Sequence, residues 1–175
     1  MTKRLHTASF TQVLLIALIV VTPASGQGGR GGRGMMGDAA QAADMQLFHQ
    51  LFEHRTEITR QVVAREDGIE TVTESKNPEV TRLLQTHVAA MLARVKEGRP
   101  IHQRDPLFAE LFRNADRIEA RHEMTADGVR VIETSTDAYV VKLLQAHAEV
   151  VSAFLANGMS EMMKNHPVPP RVVDR

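Results

Sequence analysis

The sequence predicts an α+β fold in which one helix–β-hairpin–helix module is written twice in tandem, and three observations carry that reading. A gapless offset of sixty residues aligns Leu47–Gly98 with Leu107–Gly158, an Asp-Gly dipeptide parts two strand-like runs in each copy, and an apolar stripe at helical spacing follows each. The alignment holds fifteen identities in fifty-two positions, more than chance yields without a gap, so duplication organises the chain. Leu47-Phe48-x-x-Leu51-Phe52 recurs as Leu107-Phe108-x-x-Leu111-Phe112, Asp67-Gly68 as Asp127-Gly128, and Leu83-Leu84-Gln85-x-His87 as Leu143-Leu144-Gln145-x-His147.

Each copy resolves into three elements. The apolar pairs at 47/48 and 51/52 recur at helical spacing, and in the second copy Asp105-Pro106 reads as an N-cap followed by proline at the first helical position. Residues 62–66 and 69–73 flank Asp67-Gly68, a preferred two-residue hairpin turn. A long helix then opens at Asn77-Pro78 or Asp137 and closes at Gly98 or Gly158, the residue type suited to a left-handed C-terminal cap. Its stripe is Val80, Leu83, Leu84, Val88, Met91, Leu92 and Val95. One hairpin with two helices buries too little to stand alone, so the copies are expected to pack about a pseudo-twofold axis, as one four-stranded antiparallel sheet or two facing ribbons. The alternative is an all-α bundle, with one long helix running through the Asp-Gly site.

Before the repeats, residues 1–26 read as a secretory signal: Lys3 and Arg4, a nine-residue apolar run at 13–21, and Ala24-Ser25-Gly26 ahead of a cleavage site between Gly26 and Gln27. That run is far short of the roughly 20 apolar residues that span a bilayer, so no stable membrane anchor is expected after cleavage. Residues 27–43 read as a Gly/Arg-rich flexible spacer, 44–163 as a single composite domain (repeats 44–98 and 105–158), and 164–175 as a C-terminal tail. The expected location is the periplasm or the exterior.

Composition narrows the function. The formal net charge is zero, with no Trp and one Tyr, so neither a basic field nor a stacking platform points to nucleic acid, and the short Arg-Gly-Gly motifs are read as linker. The chain has no Cys, which excludes disulfides, thiol catalysis, covalent c-type haem and Cys-based metal sites. No nucleophile elbow, zincin motif, phosphate loop or EF-hand loop is present, so no catalytic residue is assigned. Nine Met and eight His remain as the ligands for a soft or borderline metal.

His87 and His147 are the leading candidates, because they are repeat equivalents on or beside an apolar stripe, where an imidazole costs free energy unless it is hydrogen-bonded or liganded. Met91 lies one turn beyond His87. In the second hairpin His122 and Met124 alternate onto the face of Val129 and Val131, where the first copy has Val62 and Ala64. Such a His/Met pair suits copper, or haem with His/Met axial bonds. Met159, Met162, Met163 and His166 form a further cluster, and His49 and His54 are read as solvent-facing. The plainer readings are a buried histidine satisfied by a backbone carbonyl, drift on a half-exposed strand, and methionines sealing a helix end. The functional expectation is an exported accessory protein binding copper or haem through His and Met; the alternative is a non-catalytic module that docks a protein partner or itself.

The Leu-Phe-x-x-Leu-Phe, Asp-Gly-(Ile/Val) and Leu-Leu-Gln-x-His pattern over about 44–163 resembles a family of bacterial exported proteins of unassigned function. The resemblance implies a periplasmic or secreted setting and a duplicated layout, and carries no catalytic residues with it.

Overall fold

The computed structural model describes residues 32–171, with side chains from Ala39 onward. The signal segment at 1–26, its Gly26/Gln27 junction and the last four residues of the tail lie outside the described residues. The element order is α1 (Gly32–Glu53), β1 (Ile58–Arg65), β2 (Gly68–Ser75), α2 (Pro78–Glu97), α3 (Pro106–Arg113), β3 (Glu119–Met124), β4 (Gly128–Thr134), α4 (Ala138–Asn157) and α5 (Met159–Met162). One-turn 3-10 segments at Arg55–Glu57 and Ala115–Arg117 lead into β1 and β3. The fold is α+β, and the all-α bundle is ruled out by a four-stranded antiparallel sheet in the order β1-β2-β4-β3.

Local chemistry accounts for the element boundaries. The side chains of Asn77, Asp105 and Asp137 accept from the backbone N–H two residues on, at 3.0, 2.9 and 2.9 Å, and so cap α2, α3 and α4. Pro78 and Pro106 occupy first-turn positions whose N–H would have no partner. Gly98 ends α2 in the left-handed region at φ 61° and ψ 35°. Helix α1 reaches back into the stretch expected as spacer over 27–43. Its Ala39-Ala40-Gln41-Ala42-Ala43 run is strongly helix-forming, and the Asp44 carboxylate is tied to the buried Arg94 guanidinium, with Nε at 2.5 Å.

The hairpin turns sit one residue earlier than expected. Arg65 pairs with Gly68, so Glu66 and Asp67 make the turn and Gly68 already belongs to the strand. Gly68 is close to fully extended at φ 159°; glycine is needed there because a Cβ would overlap the Glu133 carbonyl of β4. Gly128 meets Thr73 in the same way. The two hairpins come together at their inner strands β2 and β4, in a register that pairs Thr71 with Val131.

One face of the sheet carries Ile69, Thr71, Thr73, Val129 and Val131, all buried under helices. The other carries charge, including the Arg130–Glu70 pair at 2.8 Å. Helix α4 packs on β2 and β1, while α2 packs on β4 and β2, so each long helix reaches the hairpin that precedes the other. Gln85 Nε2 donates to the Thr125 and Gly128 carbonyls at 3.0 Å, and Gln145 Nε2 donates to the Arg65 carbonyl at 3.2 Å. Val80, Val140, Leu143 and Leu144 are fully sealed where helices meet sheet.

Candidate functional site

A cavity of about 380 Å³ lies between the sheet and the helices. Its floor includes Thr71, Thr73 and Val131 of the inner strands; α1 contributes Met45 and Phe48, α2 His87 and Met91, and α4 His147. His102 and Phe108 close one side, with Met159, Met162 and Met163 at the C-terminal end. The volume falls in the range of small-molecule sites, and the lining is mainly apolar with a few ionisable groups.

Two Phe–His pairs sixty residues apart build the walls alike. Phe48 meets the His87 ring edge-on at 4.5 Å between centroids, and Phe108 meets His147 edge-on at 5.0 Å. Each phenylalanine belongs to the Leu-Phe motif and each histidine to the Leu-Leu-Gln-x-His motif of its copy. Both Nδ1 atoms are sealed and without a hydrogen-bond partner, which leaves Nε2 as the ring atom that can meet a ligand. Burial pushes both imidazoles down to about 4; Asp44 opposes this at His87, and for His147 the Arg60 and His87 charges add to it while Asp105 opposes. Both rings are therefore neutral near pH 7, the form that ligates metal.

The structure brings together His87, Met91 and His147 of the expected ligands. It does not add His122 and Met124. Their register partners are Val131 and Val129, which puts them on the expected face, but β3 is an edge strand exposed along its length, with Met124 43% exposed. Alternation sets the face of a strand residue; it does not place a helix above it. Met159, Met162 and Met163 join the lining while His166 turns elsewhere, and His49 is exposed while half-buried His54 bonds Glu57 at 2.7 Å. Among the described residues, no three His, Asp or Glu side chains converge as a metal-ion cage requires.

Three cavity residues escape a motif search. His102 takes a left-handed backbone, φ 55°, and holds its buried Nε2 3.8 Å from Asp105 Oδ2 without a hydrogen bond. Arg60 and Glu133 stand at inward strand positions, where comparison of the copies carries their signal: their equivalents are Ala120 and Thr73. Beside the cavity, Asp105 accepts from His166, with Nδ1 at 2.6 Å, and His166 Nε2 lies 3.2 Å from Glu161. Burial pulls His166 down, but those carboxylates outweigh it and its pKa is raised. The tail is thus pinned across the start of α3, and Arg171 continues it with a bond to Glu110 at 3.1 Å.

No family model, no curated protein and no solved structure matches this chain.

Proposed function

We propose that the chain is an exported, non-catalytic binding protein whose cavity takes haem through the imidazoles of His87 and His147. One observation carries the reading: two repeat-equivalent histidines, kept neutral by burial and without hydrogen bonds, line the same apolar cavity. Haem iron takes imidazole nitrogen as an axial ligand, and the apolar macrocycle needs walls such as Phe48 and Phe108 offer. A bare ion would leave most of about 380 Å³ unfilled. The neighbouring His87 and Met91 support a second reading, Cu(I) held by imidazole and thioether. Periplasmic or secreted location rests on the basic start, apolar run and small residues ahead of Gln27, and kinship with duplicated exported proteins on the Leu-Phe-x-x-Leu-Phe, Asp-Gly and Leu-Leu-Gln-x-His pattern.

We also read 44–163 as one composite domain of two repeats about a pseudo-twofold axis. The Thr71–Val131 pairing, the crossed packing of α2 and α4, and the matched Phe–His pairs support this.

Titration of the purified mature chain with ferric haem tests the function. A shifted, saturable Soret band is expected, weakened tenfold or more in His147→Ala and His87→Ala. A Cu(I) competition run alongside decides the second reading. A wild type that binds neither would overturn both and leave the docking module.

A further inference from the structure

We infer that the Arg60 guanidinium, on the sheet floor of the cavity, is an anchor for a carboxylate carried by an otherwise apolar ligand. This rests on the cavity being a ligand site, but not on that ligand being haem.

Arg60 belongs to the inward row of β1 and pairs with Thr73 of β2. A guanidinium has five N–H donors. Of these, Nη1 donates to Thr73 Oγ1 at 2.8 Å, and Nε is buried without a partner. Among the described residues, no carboxylate forms an ion pair with it. A guanidinium whose Nε is sealed and so incompletely paired is costly to hold unless an anion joins it. Burial lowers its pKa to about 10, so it stays charged at any physiological pH.

Glu133 is the one carboxylate of the sheet that also lines the cavity; its charge and that of Arg60 act on each other, but the two form no ion pair. It sits opposite Ile69 on β4, two strands over and four residues along from Arg60. Burial pushes its carboxyl up, with the Arg60 charge opposing. The cavity therefore offers, in a mainly apolar lining, one guanidinium that no carboxylate bridges.

The fold does not require this charge. The repeat equivalent of Arg60 is Ala120, so the same strand position is built without it. Arg60, on the floor of a chamber that also holds Arg104 but is walled mainly by apolar residues such as Phe48, Phe108, Val88 and Leu84, is matched by a ligand with an acid at one end and a hydrocarbon or macrocyclic body. A porphyrin propionate and a long-chain fatty acid both meet that description.

Metal-free protoporphyrin IX, its dimethyl ester and palmitate, each titrated into the mature chain and followed by porphyrin fluorescence or competition, test the inference. The free porphyrin is expected to bind at least tenfold more tightly than the ester, and Arg60→Gln to erase that preference. Arg60→Lys, with thermal melts of both variants, guards against a folding defect, since a retained charge is expected to keep part of the preference. Equal binding of acid and ester, a preference that survives in folded Arg60→Gln, or no binding of any probe would overturn the inference. Arg60-dependent palmitate binding without a ferric-haem Soret shift supports the anchor and fails the haem reading. A Soret shift indifferent to esterification does the reverse.

Discussion

Thr71 and Val131, sixty residues apart in the chain, face each other directly across β2 and β4. From that pair the register runs out evenly, Gly68 opposite Thr134 and Glu74 opposite Gly128. Each hairpin thus gains its third and fourth strands from the other, and each long helix covers the other hairpin. Expressed separately, Asp38–Gly98 and Asp105–Pro170 should lack a cooperative thermal transition, because neither half buries the sheet face it exposes. Circular dichroism melts of the two fragments, alone and mixed, check this; a cooperative melt of either alone would refute it.

Gly68→Ala should be far more damaging than Gly98→Ala. The first puts a Cβ into the Glu133 carbonyl, and only a backbone shift at the β2–β4 junction relieves it. The second meets open space and bears only the cost of a left-handed φ, about 1 kcal/mol. Urea unfolding of both variants should show the difference as a larger loss of midpoint for Gly68→Ala, and equal losses would contradict the close strand approach.

What was legible in the sequence follows from what repeats and what caps. The sixty-residue offset, Asn77, Asp105 and Asp137 as caps, and the α2 and α4 stripes were readable because each is a local chemical requirement. The turn lies one residue earlier than the local Asp-Gly signal places it, because Gly68 answers to β4 across the β2–β4 seam. For the same reason His122 and Met124 were placed on the right face and the wrong depth. Arg60, Glu133 and His102 meet only in three dimensions, and the α1 wall was hidden because glycines and arginines precede its alanine run.

Asp105 is buried and serves two elements, accepting from Leu107 N at 2.9 Å and from His166 Nδ1 at 2.6 Å. Asp105→Ala removes the α3 cap and strands the tail histidine, a loss of about 2–3 kcal/mol. Asp105→Asn keeps the acceptor that caps α3 at Leu107 N but replaces the oxygen facing His166 Nδ1 with an amide N–H, and should cost less than the alanine. Chemical denaturation of the two variants beside wild type is the measurement, and a fall of similar size in both would assign the effect to charge rather than to the cap.

The ligand-free protein should lose stability in mild acid. His87 and His147 have folded pKa values of about 4, against about 6.5 for an unfolded histidine. Unfolding therefore takes up protons between those values, so the contribution of these rings is complete above pH 6.5 and lost as pH falls toward 4. That displacement bounds the loss at about 3 kcal/mol for each ring. His166 works in the opposite sense: its pKa is raised, so its contribution is complete below 6.5 and fades as pH rises through the folded value. The acid-side slope is expected to flatten in the double variant His87→Gln/His147→Gln and to persist in His166→Ala. Thermal midpoints across pH 4–8 for the three proteins separate the effects, and an unchanged slope in the double variant would show that the cavity imidazoles are not sealed from protons.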